Sequence, residues 1–238
     1  MKKFFFLPIA FMLMSCETAQ QVLGGITGSG DPTVAEIASG LKEALTVGSQ
    51  NSANKLSLAD GFFKDEAIKI LLPPEAQKVE KTLRSLGMNK IVDDAILSIN
   101  RGAEEACKTA APIFGNAIKQ MTIQDAIGIL KGNDSAATVY LRNKTTTELT
   151  NAFKPIIQQS LDKVGATKYW GTVFNTYNSL PTTFKKINPD LSGYVTERAL
   201  GGLFHYVALE EQKIRKDPVA RVTDLLKKVF GSKLATGG

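Results

Sequence analysis

The residues from Tyr194 to Gly231 constrain the fold most strongly, because they hold the longest amphipathic helical pattern in the chain. At about 100° per residue, one apolar stripe is formed by Thr196, Leu203, Val207, Glu210 and Ile214. Glu210 therefore stands where a leucine would be expected, and Glu211 lies at the edge of the same arc. Because a carboxylate that is withdrawn from water needs partners, this segment predicts a core helix with a charged cluster on its inner face.

The cationic partners of Glu210 and Glu211 are the first site prediction. Arg215 reaches Glu211 from one turn further on, but an exposed pair of that kind contributes only about 0.3 to 0.5 kcal/mol. We therefore predict a second cation from another helix, and the candidates are Arg101, Lys119, Arg142 and Arg221. Two interpretations stay open for this cluster: a structural ion-pair network that fixes helix register, and a functional site.

The first sixteen residues have the three-part form of an export signal. Two lysines precede an apolar run over residues 4–14, and the run ends in Leu-Met-Ser-Cys. This ending resembles the lipobox of bacterial lipoproteins, which implies that residues 1–15 are cleaved and that Cys16 is acylated, for example with palmitate. Glu17 stands where inner-membrane lipoproteins carry aspartate, so the same rule implies the periplasmic face of the outer membrane. An ordinary signal peptide with a chance cysteine is the alternative.

Charge and apolar runs limit the classes of partner. The chain has 29 Lys and Arg against 23 Asp and Glu, and the loss of two lysines with residues 1–15 leaves a mature net charge of +4. This small excess is spread along the chain, so no nucleic-acid partner is expected. No later run approaches 18 apolar residues, and the predicted contact with the membrane is therefore the lipid anchor alone.

The sequence contains few side chains that could bind a metal ion or a cofactor. His205 is the single histidine, and Cys107 has no partner once Cys16 is assigned to the anchor. We expect no metal and no cofactor, and we interpret Cys107 as a small core residue.

Residues 16–32 are rich in Gly, Ser, Thr and Gln, so we predict a flexible linker there. Residues 33–238 predict one compact all-α domain of about nine or ten helices, since helical spacing covers most of this region and no strand-type alternation is convincing. Predicted boundaries are a capping box at Thr33 and Glu36, a first helix to about Leu56, helices from Pro74 to Gly87 and from Lys90 to Ala111, and short helices ending near Lys131 and Lys144. Further boundaries are a helix from Thr146 or Thr147 to Gly165 that Pro155 kinks or divides, a helix from Thr167 to Ser179, and a long helix capped by Asp190 and broken at Asp217-Pro218.

The helix predicted from Lys90 has an unusual inner face of mostly small side chains. Its members are Ile91, Ala95, Ile99, Gly102, Ala103, Ala106 and Ala110. We expect another helix to approach closely along this stripe.

The connection from Ser57 to Pro73, called the loop segment below, is too long and too apolar to be an idle linker. It should dock on the body through side chains near Phe62, and Asp60, Phe62 and Phe63 are its candidate functional residues. Two interpretations stay open: an ordered loop that seals the core, and a lid across a ligand site.

Five segments carry a family resemblance: GLKEAL, DGFFKDEAIKILLPPE, NAIKQM, AFKPIIQQSL and EEQKIRKDPVARVTDLLKKVFG. Over residues 34–231 the chain resembles a bacterial family of helical envelope proteins that is known only as a domain of unknown function. The resemblance implies export and one helical domain, and it brings no activity with it. Arg101 and Lys119 are the preferred partners of Glu210, and Lys119 lies in the segment NAIKQM.

Function is expected to be binding or structural. The sequence has no G-x-S-x-G elbow, no H-E-x-x-H and no phosphate-binding loop. The alternative is a periplasmic enzyme that uses Glu210 and Glu211 as acid and base, because a hydrophobic setting raises carboxylate pKa values. An envelope protein and an apolar small molecule are the two partner classes that stay open.

Overall fold

The structure is a computed structural model that describes residues 30–179, 181, 186 and 188–236. The predicted signal peptide, Cys16 and the linker up to residue 29 lie outside these residues.

The described residues form helices that are joined by turns and by the longer loop segment, and no strand occurs among them. In chain order the helices are α1 (Val34–Leu56), α2 (Gln77–Ser85), α3 (Asn89–Cys107), α4 (Ala110–Lys119), α5 (Ile123–Leu130), α6 (Ala136–Lys163), α7 (Ala166–Ser179), α8 (Leu191–Lys216), α9 (Asp224–Phe230) and α10 (Lys233–Thr236). Single 3₁₀ turns at Pro74–Ala76 and Pro218–Ala220 precede α2 and α9. The predicted all-α class is confirmed.

Helix starts follow local capping chemistry. Thr33 and Glu36 form the predicted capping box at the start of α1, and the side chain of Asp190 accepts from the backbone N–H of Gly193 at the start of α8. Gly87 follows α2 with a φ of +77°, a left-handed conformation that glycine adopts without strain. These boundaries were predictable because each involves residues within one turn of one another.

Two predicted boundaries are wrong. The helix expected to run to Ala111 ends at Cys107, and Ala110 begins α4. The expected new helix at Thr146 or Thr147 does not exist, because α6 is a single helix of 28 residues. The threonines near residue 146 do not cap a new helix. Instead the hydroxyls of Thr145 and Thr146 donate to the carbonyls of Leu141 and Arg142, one turn back, at 2.7 and 2.6 Å. Pro155 lies inside the helix without dividing it.

The core is formed where α8 packs against α1 and α6, and where α6 also packs along α3. Helix α8 runs antiparallel to α6, since Lys154 pairs with Asp190 while Arg142 lies over the ring of Phe204. Phe204 is 1% exposed and meets Phe114 edge-on, with ring centroids 5.9 Å apart. Across the part of the chain that is described, no helix has the length and apolar character needed to cross a bilayer.

The small residues of α3 bring α6 close, as predicted. A Cβ atom added at Gly102 would lie 3.1 Å from the Cβ of Ser160 and 3.4 Å from the Cα of Ile157. Ala103 and Ala106 are fully buried beside it. The stripe begins later than predicted, however, because Ile91 is 56% exposed.

Candidate functional site

Glu211 is the carboxylate that the fold withdraws from water, and its side chain is 6% exposed. Its Oε1 accepts from the backbone N–H of Ala137 at 3.0 Å, and its Oε2 accepts from the backbone N–H and the hydroxyl of Thr138, both at 2.8 Å. These N–H groups belong to the first turn of α6, and Ser135 at the N-cap position makes no side-chain hydrogen bond to that turn. Glu211 therefore caps α6 from another helix, and its negative charge complements the positive end of the helix.

Arg215 contacts both Glu211 and the C-terminal end of α5. Its Nε donates to Oε1 of Glu211 at 3.0 Å. Its terminal nitrogens donate to the carbonyls of Ile129 and Leu130, at 2.7 and 3.3 Å. These carbonyls lie at the C-terminal end of α5, where the last carbonyls of a helix have no N–H donor within the helix. The guanidinium of Arg215 supplies the missing donors. The Glu211–Arg215 pair thus joins the end of α5 to the start of α6.

Glu210 points toward α1, and its side chain is 16% exposed. Its partners are Lys213 on the same helix and the side-chain amide of Asn51, at 3.0 Å. Burial acts to raise the pKa of Glu210, but the hydrogen bonds from Lys213 and Asn51 outweigh it and hold that pKa below its usual range. Both carboxylates are partly withdrawn from water, as the stripe predicted, but Glu211 and not Glu210 is the more buried of the two, because the face that α8 turns toward the start of α6 carries Glu211.

The prediction of a cation from another helix is wrong for the residues that the structure describes. No Lys or Arg of another helix forms a salt bridge with either carboxylate, and Lys55 adds only a longer-range attraction to Glu210. Arg101 pairs with other carboxylates, Lys119 is exposed at the end of α4, and Arg221 donates to two carbonyls at the end of α8. In place of a cation from another helix, Glu211 accepts from backbone N–H groups of α6, and Glu210 accepts from the side-chain amide of Asn51.

Space beside this pair does not admit a ligand. The cavity that touches Glu211 and Arg215 has a volume of about 20 Å³, which is room for one water molecule. The geometry therefore matches the structural interpretation of the cluster, in which charged groups fix the positions of three helices.

Arg101 belongs to a different network, which anchors the loop segment to α3. It donates to Asp60 at 2.7 Å and to Glu104 at 2.6 Å. The Glu104 side chain is 4% exposed and also accepts from the backbone N–H groups of Phe62 and Phe63, at 3.1 and 3.2 Å. All three residues proposed for the loop, Asp60, Phe62 and Phe63, thus contact the Arg101–Glu104 pair.

The loop segment seals the core. Phe62 is 0% exposed, and its ring fills the space beside Gly202 of α8, where a Cβ atom would lie only 2.6 Å from the ring. Asn100 accepts from the backbone N–H of Ile70 at 2.9 Å and donates to the carbonyl of the same residue at 2.8 Å. The described geometry is that of an ordered loop, and Phe62 offers no surface to an apolar ligand.

Asn100 and Glu104 are residues that the sequence interpretation missed. Both lie in one row of α3 with four-residue spacing, after Val92 and Ile96, and every member of the row is buried. The signal was the same one that selected Glu210, namely a polar residue in an apolar row. The sequence interpretation selected the small-residue stripe beside this row instead.

An open groove of about 620 Å³ runs between α6 and α8, beside residues 67 and 68 of the loop segment. We call it the α6–α8 groove. Its polar lining comes from both helices: Arg142, Thr146, Thr150 and Lys154 of α6, and Thr196, Glu197, Arg198 and His205 of α8. The sequence interpretation did not assemble this surface, because it divided α6 near Lys144. The available signal was the polar row at Arg142, Thr146, Thr150 and Lys154, with four-residue spacing.

Cys107 and the possible metal ligands were also candidates for chemistry. Cys107 is fully buried, and burial raises the pKa of its thiol far above the usual range. Within the described ranges, no group of three or more His, Cys, Asp or Glu side chains is arranged to hold a metal ion.

Comparison with known proteins shows the family of this chain. Residues 31–231 match the family described as "Protein of unknown function (DUF4197)", and the chain belongs to that family. No curated protein and no solved structure matches the chain.

Proposed function

We propose that this family member is a lipid-anchored protein of the bacterial envelope, acylated at Cys16, that binds a small-molecule ligand in the α6–α8 groove. The observation that carries the binding role is the groove itself, whose volume of about 620 Å³ is in the range of small-molecule sites. Arg142 and Arg198 in its lining make no hydrogen bond to a described residue, whereas the buried carboxylates of Glu104 and Glu211 already accept hydrogen bonds from backbone N–H groups.

A carboxylate enzyme, the alternative expected from the sequence, finds no support in this geometry. A general acid needs a carboxyl group with a raised pKa, whereas the pKa of Glu210 is lowered. Glu211 uses both oxygens to cap α6, and the adjacent cavity of about 20 Å³ admits no substrate. The two carboxylates also have separate partners on different helices, so they do not converge on one reacting group.

The anchor is supported by the short apolar run that ends at Cys16. We expect intact mass spectrometry of membrane-extracted protein to show a chain that begins at Cys16 and carries acyl groups. The Cys16→Ala variant should lose the acyl mass and the membrane fraction. A Cys16→Ala product that remains acylated and membrane-bound would contradict the assignment.

The binding role is tested by filling the groove without disturbing the fold. A Cβ atom at Gly201, which lines the groove, would meet no atom within 4 Å, so Gly201→Phe places a ring in the open space. Gly128 on α5 is equally open and lies outside the groove, which makes Gly128→Phe the matched control.

The readout is native mass spectrometry of protein purified from membranes. We expect a co-purifying small molecule on the wild type and on Gly128→Phe, and its loss from Gly201→Phe. Equal retention by all three proteins, or no bound molecule on any of them, would count against the groove as the site.

A further inference from the structure

We propose that the α6–α8 groove binds a phosphate ester through Arg142 and Arg198, an inference that rests on the ligand-binding function proposed above. The first observation is a difference among the six arginines of the chain. Four donate to carboxylates or backbone carbonyls, and these are Arg84, Arg101, Arg215 and Arg221. Among the described residues, Arg142 and Arg198 make no salt bridge and no side-chain hydrogen bond, and both line the same groove.

Arg142 is held in place although no described residue accepts a hydrogen bond from it. Its guanidinium lies 4.7 Å from the centre of the Phe204 ring. That ring is buried and packed edge-on against Phe114, so it forms a fixed platform. A guanidinium stacked on a fixed ring loses less side-chain freedom when it binds an anion, while its N–H groups stay available.

Most of the other polar groups in the lining are already engaged. Thr146 and Thr150 already donate their hydroxyl protons to carbonyls one turn back, at 2.6 and 2.7 Å. Lys154 pairs with Asp190, and Glu197 is the acidic residue in the lining. The guanidinium groups of Arg142 and Arg198 therefore supply most of the unused donors in the groove, and the imidazole of His205 lines the same groove.

A phosphate ester fits this donor set better than a carboxylate does. Arg142 and Arg198 come from different helices, and a phosphate group offers oxygens in several directions to two planar forks at once. The groove is much larger than a phosphate ion, and Ile68 and Leu200 contribute apolar lining. The ligand class is thus an organic phosphate with an apolar portion, whether a phospholipid headgroup or a soluble phosphate ester.

The test is calorimetric titration of the mature protein at constant ionic strength with three probes: inorganic phosphate, glycerol 3-phosphate and dihexanoyl phosphatidylglycerol. We expect at least one of the two esters to bind more tightly than inorganic phosphate. Binding of the lipid alone would assign a headgroup as the source, and binding of glycerol 3-phosphate would assign a soluble ester. No binding of either ester would overturn the proposal.

Variants then locate the site. Arg142→Gln and Arg198→Gln should each weaken ester binding about tenfold or more, because each removes hydrogen bonds to a charged group. Lys119→Gln removes the same charge from an exposed position outside the groove and should leave affinity unchanged. The melting curve of Arg198→Gln should stay close to wild type, because Arg198 has no salt bridge among the described residues, and that of Arg142→Gln should fall only slightly, because it loses only the stacking on Phe204. If Lys119→Gln weakened ester binding as much as the arginine variants do, the loss of affinity would follow from the net charge of the protein, and the proposed site would be wrong.

Failure of this inference is distinguishable from failure of the binding function. If Gly201→Phe removes a co-purifying molecule while the arginine variants retain it, the groove binds a ligand that is not recognised as an anion. If Gly201→Phe has no effect either, both proposals fail.

Discussion

Substituting Glu211 by Gln tests whether a carboxylate from α8 fixes the start of α6. The amide keeps the shape but puts an NH₂ group where one oxygen accepted hydrogen bonds. If the NH₂ group takes the position of Oε1, it faces the N–H of Ala137 and Nε of Arg215. If it takes the position of Oε2, it faces the N–H of Thr138. Either orientation leaves buried donors without an acceptor, and Arg215 loses its counter-charge.

The expected loss in free energy of unfolding is about 3 to 5 kcal/mol, the range for removing one partner of a buried ion pair. For a domain of this size that loss lowers the melting temperature by about 6 to 20 °C. Glu210→Gln is the matched control on the adjacent residue. Its pair with Lys213 is partly solvated, and an amide oxygen can still accept from Asn51, so the cost should stay below about 1 kcal/mol.

Urea denaturation followed by circular dichroism measures both variants. The double variant Glu211→Leu, Arg215→Met adds a diagnostic, because an ion pair alone can be replaced by apolar residues at little cost. Here the start of α6 and the end of α5 would still lose their partners, so the double variant should remain clearly destabilised. A Glu210→Gln loss equal to or larger than that of Glu211→Gln would refute the reasoning.

Three further predictions concern the loop segment, the close packing of α3, and acid stability. Glu104→Gln should increase protease cleavage in the loop segment, because the carboxylate holds two of its backbone N–H groups, whereas Glu105→Gln at an exposed pair should not. Gly102→Leu should cost about 1 to 3 kcal/mol by overpacking against α6, and Gly115→Leu, placed in open space, should leave the melt unchanged. Burial acts to raise the pKa of Asp190, but its hydrogen bonds lower it below the ordinary 3.8, so its stabilising contribution is present above that pH and is lost as pH falls further. Asp190→Asn should flatten the acid limb of a stability–pH curve, and an unchanged limb would contradict this assignment.

Local chemistry made most of the helices predictable. The capping box at Thr33, the cap at Asp190 and the stop at Gly87 each involve residues within one turn, so the sequence displays them directly. The small side chains around Gly102 likewise predict a close helix contact wherever the helix is packed. The division of α6 failed because a threonine hydroxyl can cap a helix or bond within one, and local sequence does not distinguish these roles.

The choice between polar neighbours was decided by tertiary structure. Helical periodicity placed Glu210 on the apolar stripe and Glu211 at its edge, but the partners of Glu211 are 73 and 74 positions away in the chain. Which carboxylate turns inward depends on where the start of α6 meets α8, and the capping N–H groups there belong to the backbone, so no residue type marks them. Arg142 and Arg198 share a groove for the same reason. Periodicity fixes which side of its own helix a residue occupies, whereas the packing of α6 against α8 determines which residues of the two helices meet.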